Sequence, residues 1–186
     1  MIRGTKVALR AREAEDVAIL HAELHEDVAT RARADSRAWR PVSQRSSPYA
    51  VADPTDEAAV FSVVDVDSGE LVGDASLWSI DRYNRLAHLG ISLRPSCRGR
   101  GLGGDTVRVL CRYGFSVLGL HRLQVETLAD NAAMIKAATD AGFVREGQLR
   151  RAAWVTGDFV DEVILGLLAT EWPEGRTSER DQRAAP

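Results

Sequence analysis

The chain has 186 residues, 45% of them hydrophobic and 27% charged, and a net charge of −3. That length and composition suit one globular domain with a real core. The charge leaves no basic footprint for nucleic acid, and no stretch approaches the roughly 18 apolar residues of a membrane span. Two cysteines, Cys97 and Cys111, are too few for a disulfide scaffold, and residues 1–4 lack the apolar core of a signal peptide, so a reducing cytoplasm is the expected compartment.

Residues 5–10 alternate as a half-buried strand, with Val7 and Leu9 on one face. Ala14, Val17, Ala18, His21 and Leu24 then fall at helical spacing, which predicts a helix over 13–27 and a helical continuation over 28–40 that Pro41 ends. Residues 41–56, with Pro41, Pro48 and Pro54 among polar residues, read as an irregular loop. Two β-rich runs, 59–66 and 71–78, flank a turn at Ser68-Gly69 and predict a hairpin. A further strand covers 86–93.

After Pro95 come Gly99, Gly101, Gly103 and Gly104, and then a helical pattern with Val107, Leu110, Cys111, Gly114 and Leu118 on one face. A strand over 123–128 follows, and Asp130 or Asn131 caps a helix that runs to Asp140 and stops at Gly142. A last hairpin joins 144–155 to 159–168 around Thr156-Gly157. The expected organisation is one domain over 1–172 and, from the charge and Gly, Ser and Pro content, a disordered tail over 173–186.

The strand–glycine loop–helix unit carries the functional information. Glycines let backbone approach a ligand closely, and the helix start presents unpaired N–H groups and a positive dipole end. Such a turn suits a phosphate, with Arg98 and Arg100 adding charge, and the loop reads as a pyrophosphate site. It is not a nucleotide P-loop, because Gly104-Asp105 stands where Lys-Ser or Lys-Thr is needed, and Gly99-x-Gly101-x-Gly103 does not fit the dinucleotide fingerprint.

Arg98-x-x-Gly101-x-Gly103 does match the Arg/Gln-x-x-Gly-x-Gly/Ala signature of the GNAT superfamily of acyl-CoA-dependent N-acyltransferases. The downstream strand 121–127, Asn131 and the Gly142-Phe143 pair repeat that superfamily's spacing. The ending from Gly147 through Asp161 resembles the branch of ribosomal-protein acetyltransferases (RimJ/RimL type). The resemblance covers about residues 5–172. It implies an α/β (α+β) fold with a mixed, mostly antiparallel seven-stranded sheet flanked by helices, in which the fourth and fifth strands splay apart after a bulge.

The resemblance further implies acetyl-CoA as co-substrate and no metal. Backbone of Ile91, Ser92 and Leu93 is expected to pair with pantetheine and supply an oxyanion donor. Arg98, Gly99, Arg100, Gly101, Leu102, Gly103 and Gly104 are expected at the pyrophosphate, and Asn131 at the pantetheine arm. The acceptor would be an amine, either a protein N-terminus or a small molecule, and the subunits a homodimer.

Attack on a thioester needs a neutral amine, although a free alkylamine has a pKa of about 10, so a base is required. His88 on the central strand suits that task at neutral pH and equally suits a structural histidine. Glu126 is the second candidate, its ordinary reading being an outward-facing strand carboxylate. Many superfamily members carry a Tyr seven residues after the motif Asn as acid for the leaving thiolate. Ala138 stands there, which argues against a polyamine acceptor. Detoxification of an aminoglycoside-type amine and a non-catalytic acyl-CoA-binding module are the competing functions.

Overall fold

The computed structural model describes residues 1–34 and 37–172. The expected tail over 173–186 lies outside the described residues. The backbone forms β1 (Ile2–Arg3), β2 (Val7–Arg10), α1 (Ala14–Leu20), α2 (Val28–Ala34), β3 (Ala59–Asp65), β4 (Leu71–Asp81) and β5 (Leu86–Leu93). It continues through α3 (Leu102–Arg112), β6 (Arg122–Leu128), α4 (Ala132–Asp140), β7 (Val144–Val155) and β8 (Asp158–Leu168).

One eight-stranded sheet runs in the order β1-β2-β3-β4-β5-β6-β8-β7. The strand beyond the expected seven is β1, two residues that pair Ile2 with Leu9 and Arg3 with Ala8. Gly4 N–H bonds back to the Val7 carbonyl at 2.7 Å, so the first predicted strand splits around a tight turn. Every neighbouring pair is antiparallel except β5 and β6.

Period-two alternation gives the sheet two different faces. One carries Val63, Leu77, Leu89, Leu123, Val125, Leu165 and Leu167, all buried, and meets Val107, Leu110 and Cys111 of α3 and Ala138 of α4 in the main core. α3 comes close to the sheet at Gly114, in the π-helical turn that extends it: a Cβ there would lie 3.2 Å from Leu123 and 3.3 Å from Leu77. The opposite face is polar and includes Ser62, Asp74, His88 and Glu126. α1 lies on this side, where Leu20 and Leu24 form a smaller cluster with Tyr49 and Leu71.

Two buried carboxylates tie the layers together. Asp16 accepts from Arg10 at 2.6 and 2.7 Å, from Ser62 Oγ at 2.7 Å and from Glu13 N–H at 3.0 Å. Burial pushes the Asp16 carboxyl up, and these donors, Arg10 first, outweigh it and hold the group below its usual range. Asp105 of α3 accepts from the N–H groups of Lys6 and Val7 at 2.7 and 3.0 Å, which pins the helix to β2.

The long helix expected over 13–40 is broken. α1 ends at Leu20 in a π-helical turn, His21–His25, and α2 ends at Ala34. The chain beyond folds back instead: Trp39 Nε1 donates to the His25 carbonyl at 2.9 Å, and His25 Nε2 lies 3.1 Å from the Arg40 carbonyl oxygen. Tertiary bonds to the π-turn win over the helical continuation expected there. Residues 41–56 form the expected irregular loop apart from a short 3₁₀ turn, Gln44–Ser46.

Candidate active site

β5 and β6 are parallel neighbours for three residues only, with Leu86, Ala87 and His88 opposite Arg122, Leu123 and Gln124. Beyond His88 and Gln124 no further pairing joins them, and the two strands part into a cleft. Along the same stretch β5 stays in unbroken register with β4, from His88 opposite Trp78 to Leu93 opposite Gly73. The expected bulge in residues 91–93 is therefore not there. The register shift lies at the other end of β4, between Trp78 and Asp81. Divergence of the strands, rather than a bulge, opens the edge of β5.

Which backbone groups face that edge follows from alternation. Arg94 N–H bonds to the Val72 carbonyl of β4 at 2.9 Å. Polar groups of Ser92 then point to β4, and those of Ile91 and Leu93 point into the cleft. The Leu93 carbonyl is taken by Arg98 Nε at 3.1 Å, which leaves the Leu93 N–H and both polar groups of Ile91 facing the cleft.

The glycine loop closes one end of the cleft. Gly99 and Gly101 have φ of +76° and +78°, the left-handed region where a side chain is strained. Gly101 directly precedes α3, whose first N–H groups lack intrahelical partners. A Cβ at Gly103 would sit 3.6 Å from Ile91 and 3.7 Å from Leu93, so the helix start packs against the end of β5. Arg98 lies beside this loop. Arg100 is paired with the β3–β4 turn: Nη2 donates to Asp65 Oδ2 at 2.8 Å, Nη1 is 3.9 Å from Glu70, and its carbonyl accepts from Lys6 Nζ at 3.1 Å. This arginine ties the loop to the β3–β4 turn.

Asn131 stands across the cleft at the start of α4. Its Oδ1 caps the helix by accepting from Met134 N–H at 3.2 Å, and its Nδ2 donates to Thr127 Oγ1 at 2.9 Å. Asp130 beside it holds Arg33 of α2 at 2.6 Å, so α2 is tethered to this arm of the cleft. Ala138 is fully buried against the main core.

His88 and Glu126 meet on the polar face. Nδ1 of His88 lies 3.7 Å from Glu126 Oε1, longer than a hydrogen bond, and this buried nitrogen has no hydrogen-bond partner. The Trp78 ring stacks on the imidazole with centroids 4.3 Å apart. Gln124 Nε2 donates to Glu126 Oε1 at 2.8 Å. On β8, burial pushes the Glu162 carboxyl up, and the charge of Glu126 pushes it further. Gln124 and Glu162 were not singled out in the sequence. Alternation puts Gln124 on the face of Glu126, but the register that brings β8 beside β6 leaves no sequence signal.

The remaining candidates stay apart from this group. Cys97 is buried, with Sγ 3.9 Å from Glu70 Oε1, and Cys111 is buried in the main core; neither is in a disulfide. Among the described residues, no group of three or more His, Cys, Asp or Glu side chains is placed to hold a metal ion.

Residues 6–144 match the acetyltransferase (GNAT) domain family. Among curated proteins, the chain is 29% identical over 116 residues to the uncharacterized N-acetyltransferase p20 of Bacillus licheniformis, covering 62% of this chain and 65% of that protein. It is 32% identical over 104 residues to the putative ribosomal N-acetyltransferase YdaF of Bacillus subtilis, covering 56% and 57%. These matches span less than two thirds of the relatives' own lengths. Two solved structures share the fold. The spermidine N-acetyltransferase of Vibrio cholerae in complex with CoA and spermine superimposes with a TM-score of 0.77 at 20% identity, over 90% of this chain and 98% of that one. The ribosomal L7/L12 α-N-protein acetyltransferase RimL in complex with coenzyme A gives 0.76 at 20% identity, over 90% and 96%. The chain belongs to the GNAT acetyltransferase family.

Proposed function

We propose that the protein is an acetyl-CoA-dependent N-acetyltransferase in which the acceptor amine attacks the thioester directly, with both substrates bound together. The observation that carries this reading is the cleft between β5 and β6, with a glycine-rich helix start at its far end and His88 at its near end. Bound acetyl-CoA supplies an acetyl group as its thioester. N–H groups of residues 101–104 and the Arg98 guanidinium hold its pyrophosphate, and the glycines admit it without side-chain obstruction. Arg100 acts behind the loop, stiffening it through Asp65. The freed edge of β5 takes the pantetheine as an added strand, and Ile91 N–H donates to the carbonyl oxygen where negative charge develops. Asn131 lines the opposite arm.

His88 accepts the proton that the attacking amine gives up, and Glu126 beside it stabilises the imidazolium. Ala138 offers no acid, so the thiolate departs unassisted, its pKa being near the ~8.5 of a thiol. The acceptor is a protein N-terminus or a small amine. Relatives named for a ribosomal substrate and for spermidine support that range. The protein acts in the cytoplasm, in keeping with two cysteines that form no disulfide, and as a homodimer. Trp154 and Phe159, exposed and in ring contact at the β7–β8 end of the sheet, are a surface for a second copy to cover.

Calorimetric titration with acetyl-CoA tests the reading first, followed by turnover across a panel of amines. Binding that Gly101→Trp abolishes, together with turnover, supports it. Tight binding without turnover of any amine points instead to a non-catalytic acyl-CoA-binding module, a reading that the buried Ala138 favours. Absence of binding overturns both.

A further inference from the structure

We infer that a chain of polar side chains running from Glu146 through Arg122 and Gln124 holds Glu126 against His88, so that Gln124 is a positioning residue for the base. The inference rests on the acetyl-transfer reading given above. The geometry is continuous. Arg122 Nη1 donates to Glu146 Oε1 at 2.8 Å, and Arg122 Nη2 pairs with the other carboxylate oxygen. The same Nη2 donates to Gln124 Oε1 at 3.1 Å. Gln124 Nε2 donates to Glu126 Oε1 at 2.8 Å, and that oxygen lies 3.7 Å from His88 Nδ1.

Chemistry fixes the direction of this chain. A guanidinium only donates, so the Gln124 oxygen must face Arg122, and the Gln124 NH₂ is thereby aimed at Glu126. Glu126 then presents carboxylate oxygen to His88 Nδ1. A carboxylate beside Nδ1 favours the tautomer with the proton on that nitrogen and leaves the Nε2 lone pair to take the amine proton. The 3.7 Å gap closes when the imidazole becomes charged, as hydrogen bonds of unliganded sites do. Without Gln124, the half-exposed Glu126 carboxylate loses the side-chain donor that orients it.

The far end of the chain depends on a missing side chain. Gly166 on β8 is paired with Gln124 across the ladder. A Cβ at Gly166 would collide with the Glu146 carboxylate and come 2.7 Å from Arg122 Nη2. The ion pair thus lies over the glycine backbone, and the atoms that would have to move are ends of flexible side chains. Glu146 is held below the usual carboxylate range by Arg122, and the guanidinium is raised by the same bond, so the pair keeps its charges throughout the working range.

The test is a double-mutant cycle in the full chain, read as kcat and KM with acetyl-CoA and the best amine from the panel. Gln124→Leu is expected to lower kcat about ten- to a hundredfold, the scale of a misplaced catalytic group, with KM for acetyl-CoA unchanged. In the Glu126→Ala background the same substitution is expected to add nothing, because Gln124 acts only through Glu126. Gly166→Ala, which disturbs only the remote ion pair, is expected to lower kcat in the same direction by a smaller factor. Losses that multiply in the double variant, or wild-type kcat in Gln124→Leu, overturn the inference while leaving the acetyl-transfer reading in place. Failure to turn over any amine, or a His88→Ala variant with undiminished kcat, strikes the base assignment itself.

Discussion

The two ends of the cleft are built by different means. The glycine-loop end is made of backbone: positive φ at Gly99 and Gly101, the N–H groups of a helix start, and the free edge of β5. The His88 end is made of side chains brought together from β4, β5, β6 and β8. Backbone binding needs particular residue types at short spacing, because only glycine tolerates the left-handed turn and the close approach. Side-chain catalysis needs only that chemically suitable groups share one sheet face, whichever strands supply them. The first kind of site is local in the chain, and the second is not.

Substitutions should separate the two ends. Gly101→Trp forces a bulky residue into φ +78° with Lys6 Nζ only 3.1 Å from its Cβ, and calorimetry should register complete loss of acetyl-CoA binding. His88→Ala should do the converse, lowering kcat by roughly 10²–10⁴, the usual worth of a positioned base, while acetyl-CoA binds as before. If His88→Ala weakens cofactor binding as much as Gly101→Trp does, the division between the two ends is wrong.

Stability offers a control, because groups outside the cleft should affect folding and leave chemistry alone. Asp16→Asn should cost about 2–3 kcal/mol in denaturant unfolding, below the 3–5 kcal/mol of a fully buried pair because Arg10 is partly exposed. The folded-state carboxyl of Asp16 lies below its usual range. Its contribution is therefore fully present above the ordinary aspartate pKa of about 3.9 and is lost as pH falls through the depressed value. The wild-type advantage over Asp16→Asn should shrink accordingly in strong acid. The smallest effect is expected for Arg33→Ala, which removes an exposed pair with Asp130 worth about 0.2–1 kcal/mol.

The same contrast explains what the sequence disclosed. Gly99, Gly101 and Gly103 could be read directly, and so could the strands around them, because their periodicity is local. The bond of Arg100 to Asp65 had no local signal, because the two lie 35 positions apart. The helical pattern expected over 28–40 does not hold at Trp39, whose bond to His25 turns the chain elsewhere. Two residues of β1 are too few to show a period. Glu162 leaves no local signal because β8 reaches β6 only after α4 and β7 have intervened.

The parallel ladder between β5 and β6 ends at His88. The imidazole therefore sits at the vertex of the cleft, where the two arms are still hydrogen-bonded, while α2 is joined to the far arm through Arg33 and Asp130. If the cleft holds the acceptor as proposed, a change in the opening of the arms alters the room available to it without displacing the imidazole at the vertex. On the proposed function, selectivity and reactivity are in this way mechanically uncoupled, and the scaffold would accept a new amine through substitutions that leave its chemistry intact.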